Sequence, residues 1–307
     1  MFDYRYHALS LAAVLLALAV GVVIGVAIGD SNLVSSAKSG IVHDLSAEVS
    51  DAQRRAGRLQ AQLSTQEAFS NDLYPIATHG LLTGRSVGLV FLGGSSNRVN
   101  DLVRSAVTQA GGDLTTVVAV REPLDLAGLA HSATATRYEA LGEVLNSAHS
   151  LTSKGKELLT QFGALVGRQL VAGGALVTQE LLSRVRGHLL SAFDGQLGAL
   201  QGLVVMRADP AGMPAEQSQV SEAFESGMID GVAAAGAAAV GVELTSTQPS
   251  QVPWYQGHDM PSVDDLDAIA GQAALIYALN GSHGAFGTKP TADSLLPKVV
   301  SDIRVGR

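Results

Sequence analysis

Between Ala8 and Ile28 the chain reads ALSLAAVLLALAVGVVIGVAI, 21 residues without a charge and with Ser10 as the only hydroxyl. As a helix this stretch would be about 31 Å long, matching a hydrocarbon core of roughly 30 Å. The natural expectation is one membrane span. Tyr4 and Tyr6 fall where an interfacial aromatic belt forms, and Arg5 with the α-amino group puts positive charge on the short N-terminal side. Beyond the span Asp30 comes first, and Lys38 is the only lysine or arginine before Arg54. That asymmetry predicts a single-pass chain with its N-terminus in the cytoplasm and its C-terminal domain outside. A cleaved signal peptide is the competing reading, since Ala27 and Gly29 are small residues of the kind a peptidase reads; the apolar stretch is longer than the usual core of about 7 to 15 residues. Gly21 and Gly25 have a spacing that allows two such helices to approach closely.

The remainder of the chain, beyond the span, is long enough to fold on its own. The chain has 307 residues, 47% of them hydrophobic, and no cysteine. Disulfides, thiolate nucleophiles and cysteine metal sites are thereby excluded. With 28 acidic against 20 basic side chains the net charge is -8, which leaves no basic surface for neutralising phosphates, so no nucleic-acid partner is expected.

From residue 42 apolar or small side chains recur at alternating steps of three and four: Val42, Leu45, Val49, Ala52, Ala56, Leu59 and Leu63, ending at Gln66. This is a short heptad seam. A coiled coil with partner helices and an amphipathic helix packed on its own domain both fit it, and tethering by the span would raise the effective concentration of partner helices. Pro75 is expected to close the segment. The predicted organisation is therefore 1–29, cytoplasmic tip and transmembrane helix; 30–75, juxtamembrane coiled coil; and 80–307, an exported α/β domain. The bilayer is one partner, and residues 8–28 and 42–66 are the segments available for a homo-oligomer or an envelope protein partner.

The α/β expectation comes from punctuation. Ser86–Leu92 is a short apolar run bounded by Gly84 and Gly93-Gly94, the pattern of a strand buried on both faces. A helix with Val99, Leu102, Val103, Ala106 and Val107 on one face comes after it, and Leu114–Val120 is the next strand. Right-handed crossovers make those two strands parallel neighbours. Downstream, helical periodicity fills 137–170 and 222–235, with strands at 200–206 and 238–244. A last helix is expected over 264–279, with Ser262 as N-cap and Asp264, Asp265 and Asp267 complementing the dipole of its first turn. The fold class is α/β, a Rossmann-like open parallel sheet.

Ligands of such folds lie beyond the strand carboxyl ends, here Leu92–Asn97 and Arg207–Asp209. The Gly93-Gly94 turn lacks the G-x-G-x-x-G pattern, no phosphate-binding G-x-x-x-x-G-K-[ST] occurs, and hydrolase motifs are missing. No enzyme class is predicted, and no cofactor. Among eight histidines and five methionines, His258-Asp259-Met260 is the only close grouping of nitrogen and thioether donors. His258 and Met260 would suit a soft cuprous ion, with Asp259 able to orient the imidazole; a loop trio holding no metal is the alternative.

Two stretches carry a family resemblance. Tyr4-Arg5-Tyr6-His7-Ala8-Leu9-Ser10-Leu11-Ala12-Ala13-Val14, leading into the glycine-bearing helix, resembles the start of the actinobacterial copper transport protein B (MctB-like) family. Near the other end, Ser262-Val263-Asp264-Asp265-Leu266-Asp267, the run Gly271–Leu279, His283-Gly284-Ala285-Phe286-Gly287 and Leu295-Leu296-Pro297 resemble its later motifs. The motif positions singled out are Tyr6, His7, Ser10, Val263, Asp264, Asp267, Gly271, Gly287 and Pro297. The resemblance implies an envelope protein of copper transport and homeostasis, pore-forming or an efflux component, with copper as transported ion. It equally implies kinship with envelope proteins that regulate a peptidoglycan hydrolase in cell separation. The lack of cysteine is the chemical objection to direct copper binding.

Overall fold

The computed structural model describes residues 4–28, 31–133, 153–173, 176–196, 199–209 and 212–298. The chain divides into two units, Met1–Ala68 and Phe69–Arg307. The first consists of helices. Helix α1 is Tyr4–Ile28, and its stretch Arg5–Ala27 is the one helix among the described residues long and apolar enough to cross a membrane. From Arg5 to Ala27 its side chains are exposed, Leu9, Leu16 and Val23 among them. Helix α2 spans Ser31–Thr78. Pro75 does not close it, contrary to the sequence expectation. The helix continues one further turn, forgoing only the amide hydrogen bond that proline cannot donate. Along α2, Leu45, Val49, Leu59 and Leu63 are exposed. Part of the predicted helix over 137–170 lies outside the described residues; the remainder is helical.

The second unit holds a seven-stranded sheet in the order β3-β2-β1-β4-β5-β6-β7. In chain order its elements are β1 (Ser86–Leu92), α3 (Asn97–Gln109), β2 (Asp113–Val120), α4 (Leu126–Ala133), α5 (Ser153–Ala172), α6 (Leu176–Leu189), β3 (Leu190–Gly195), β4 (Gly202–Arg207), α7 (Ala215–Ala234), β5 (Ala238–Val242), α8 (Val252–Gly257), β6 (Ser262–Val263), α9 (Ile269–Leu279) and β7 (Ala285–Phe286). All neighbouring pairs are parallel except β2 and β3, which are antiparallel.

Strand alternation sends successive side chains to opposite layers. In β1, Val90 and Leu92 join Phe162 of α5 and Phe224 of α7, whereas Val87, Leu89 and Phe91 join Val103 of α3 and Leu275 of α9. Helix α3 starts as its sequence suggests, with the Ser96 hydroxyl accepting from the Val99 amide at 3.3 Å. Helices α5 and α7 cross at backbone contact: a β-carbon at Gly163 or Gly167 would strike the backbone of α7, and one at Gly227 or Gly231 that of α5.

Candidate functional site

Chain reversal around the middle of the sheet puts β1 between β2 and β4, so the crevice where parallel α/β folds take ligands lies beyond Leu92 and Arg207. Its floor at Gly93 is covered by an acid, while a pocket of about 390 Å³ lined by Pro123, Asp125, Glu216 and Val220 stays open beside it. Gly93 turns with φ +106°, and Glu122, just past β2, extends its carboxylate over that turn. A β-carbon at Gly93 would lie 2.5 Å from Glu122 Oε2 and 2.8 Å from the Ala208 β-carbon. The Gly-Gly turn is thus bounded by an acid and not shaped to cradle an anion.

Behind Glu122 lies a buried charge network. Arg207, the last residue of β4, donates from Nε to Glu225 Oε2 of α7 at 2.8 Å and from Nη1 to Gln251 Oε1 at 2.8 Å. Its guanidinium lies 4.7 Å from the ring of Trp254, the only tryptophan. Tyr255 donates its hydroxyl to the Val242 carbonyl at 3.1 Å and accepts from the Arg207 amide at 3.0 Å. Glu243, at the end of β5, is fully buried and accepts from Lys289 Nζ at 2.6 Å, the Ser250 hydroxyl at 2.7 Å and the Gln251 amide at 2.6 Å. Two cations therefore neutralise two carboxylates, and Glu122 is the acid left over.

Burial, then the nearby Glu225, pushes the Glu122 carboxyl up to about 7 despite the opposing Arg207. Burial also raises Glu225, against the pull of Arg207. A neighbouring carboxylate disfavours a second negative charge, so the protonated form of Glu122 is favoured. Glu122 Oε1 and the Ser221 hydroxyl, both in this cluster, are buried without hydrogen-bond partners.

The acidic run after β6 is not a helix cap. Ser262 and Val263 form a strand instead, and α9 begins only at Ile269 with Ala268 at its N-cap. Asp264 is fully buried and accepts from the Thr288 amide at 2.8 Å and the Lys289 amide at 3.1 Å. Asp267 accepts the amide and hydroxyl of Thr245, each at 2.8 Å, and pairs with Arg98. Burial would raise Asp267, but these hydrogen bonds and Arg98 outweigh it and hold it below the usual carboxylate value. Asp265 is 0% exposed with neither oxygen partnered, and burial plus Asp264 and Asp267 push it up to about 6.

The fold brings several motif residues together here. A β-carbon at Gly287, where φ is +137°, would collide with the Asp264 carboxylate, and one at Gly271 with the Asp265 carbonyl. Val263 is fully buried between β5 and β7, and Pro297 is buried. Tyr6, His7 and Ser10 are exposed on α1.

His258 and Met260 line a pocket of about 380 Å³ near the amino end of β5, and the fold adds His283 to it. The other walls include Ile229, Ala237 and Pro261. His258 is held on both nitrogens: Nδ1 faces the Trp254 carbonyl at 2.8 Å and Nε2 the Ser226 hydroxyl at 2.9 Å. If Nδ1 carries the proton, Nε2 presents its lone pair. Among the described residues no three of His, Asp or Glu converge as metal ligands would.

An apolar N-terminal helix and an α/β domain with a buried charge network at its strand ends define a membrane-associated protein with a Rossmann-like domain. The family model described as "Copper transport outer membrane protein, MctB" matches residues 1–297, and the chain belongs to that family. It is a family of copper transport and not an enzyme family. The proteins called "Copper transporter MctB" from Mycobacterium tuberculosis (strain ATCC 25618 / H37Rv) and Mycobacterium bovis (strain ATCC BAA-935 / AF2122/97) are each 26% identical to this chain over 309 residues, covering 94% of it and 96% of the relative. The namesake from Mycobacterium leprae (strain TN) is 26% identical over 318 residues, covering 96% and 99%.

Proposed function

We propose that this chain is an envelope component that keeps intracellular copper low, taking part in a pore or efflux path with its N-terminus in the cytoplasm and its α/β domain outside. The observation that carries this reading is the family match over residues 1–297 together with α1, the candidate span at its start. One apolar helix cannot enclose an aqueous path, so the reading requires several copies or a partner protein. Cysteine-free, the chain has only nitrogen, oxygen and thioether donors to offer copper. The reading assigns contact with cuprous copper to the pocket that holds His258, Met260 and His283, whose donors are soft enough for that ion.

A second reading is a non-enzymatic scaffold that recruits or regulates a peptidoglycan hydrolase. Favouring it is the row of exposed apolar side chains on α2, a surface suited to another helix. Deleting the gene and measuring cell-associated copper and cell separation in the same cultures distinguishes the two. Copper accumulation with normal separation supports the first; chained cells with normal copper support the second.

A further inference from the structure

We propose that α2 pairs in parallel and in register with the α2 of a second copy of this chain, through the seam that includes Leu45, Val49, Leu59, Leu63 and Leu73. The first four are 59%, 49%, 59% and 59% exposed, and Leu73, which continues the same three-four spacing, is 45% exposed. A seam of this length left in water is costly, and coiled-coil pairing is the ordinary way to cover it.

The alternative, that the seam packs on its own domain, meets a specific objection. The membrane-distal end of α2 does have a face its own unit covers, but it is a different one. Tyr74 and Thr78 are buried, and the Ala77 carbonyl accepts the Tyr277 hydroxyl at 2.9 Å. Leu73 precedes Tyr74 by one residue and so lies about 100° around the helix, outside that packed face.

Charge does not oppose a second copy arranged in parallel. In that register the flanking positions facing each other across the seam are Glu48 with Gln53, Arg55 with Gln60, and Gln62 with Glu67. No like charges meet. The Arg54–Asp51 ion pair lies on the side away from the seam. The tether selects the direction: α2 begins three residues after α1 ends, so two copies anchored in one membrane start their α2 helices at the same depth. Alanines at 52 and 56 make the centre of the seam thin, and confinement to a membrane supplies the effective concentration that a short seam needs. The proposal rests on the membrane anchor but not on the copper reading.

Because the chain has no cysteine, single-cysteine crosslinking is unambiguous. Full-length chains carrying Leu45→Cys, Leu59→Cys or Arg54→Cys are produced in membranes and mildly oxidised. The two seam variants should give a species of twice the chain mass, at least fivefold more than Arg54→Cys, whose position lies outside the seam. Adding Leu63→Asp to Leu45→Cys should abolish the crosslink while the thermal transition of the α/β domain stays in place. Equal crosslinking at Arg54→Cys, or none at the seam in folded protein, overturns the proposal. So does a crosslinked product whose mass is not twice that of the chain. Normal copper in a deletion strain together with seam crosslinking would sink the copper reading and leave the dimer standing.

Discussion

Glu122 Oε2 lies 2.5 Å from where a β-carbon on Gly93 would stand, so the turn after the central strand is glycine because a carboxylate closes over it. The closure makes sense of the absent phosphate motif. Where comparable folds place an anion against the glycine turn, this one places a carboxylate.

That closure should depend on a proton. Folding raises the Glu122 carboxyl from 4.5 to about 7, so the native state binds more protons than the unfolded one between those values. Stability should therefore fall as pH rises from about 4.5 through 7, with the full penalty present above it. Glu122→Gln should remove this slope and be more stable than the parent at pH 8 by roughly 1–2 kcal/mol, a figure discounted for partial exposure. Urea denaturation at pH 5.5 and pH 8 measures both. Parallel slopes for parent and variant would contradict a raised Glu122 carboxyl.

Gly93→Ala combines a positive φ with two short contacts and should cost about 2 kcal/mol or more. Pairing it with Glu122→Ala removes one of those contacts, so the double variant should recover part of the loss. Strict additivity in the double-mutant cycle would show that the two residues do not meet.

Arg207→Met leaves Glu225 buried without its partner and should cost roughly 3–5 kcal/mol, whereas Arg207→Met with Glu225→Met should recover most of it. Thermal and chemical denaturation of the three variants decides the matter. A double variant as unstable as the single would mean that Gln251 and Trp254, not the charge pair, hold Arg207 in place.

Asp265 is a second acid whose native state favours the proton, raised from 3.8 to about 6. Its penalty grows as pH rises through that interval and is complete above it. Asp265→Asn should stabilise the chain at pH 7 by roughly 1–3 kcal/mol and change little at pH 3.5. A loss of stability at pH 7 would mean that the carboxylate has a partner it needs.

For the pocket near the amino end of β5, Met260→Leu and His283→Gln should each weaken cuprous binding by the full-length protein at least tenfold, read by competition with a colorimetric chelator. His258→Gln should also disturb folding, because both ring nitrogens are engaged. Unchanged binding in the first two variants would remove this pocket from the copper account.

The parts of the fold visible in the sequence are those whose signal is local. The uncharged run of α1, the apolar stretches of β1 and β2 and the one-sided face of α3 each declare themselves within one continuous stretch of the sequence. The strand-end network does not. Arg207 closes an apolar run, which is a hint, but its partners Glu225, Gln251 and Trp254 lie 18 to 47 residues away and only the fold joins them. The aspartates after Ser262 mislead for a physical reason: acids just before a helical run suit a dipole, while their actual donors, the amides of Thr288 and Lys289 and of Thr245, lie on other loops. Likewise His283 reaches the neighbourhood of His258 and Met260 only because α9 carries the chain back beside β6.

The most direct test of the copper reading is cell-associated copper in a strain lacking the gene, measured by mass spectrometry under copper challenge, beside the same strain complemented with the full-length chain. The account predicts several-fold accumulation that complementation reverses and that a chain lacking residues 1–28 does not. Copper content equal to the parent strain would contradict it.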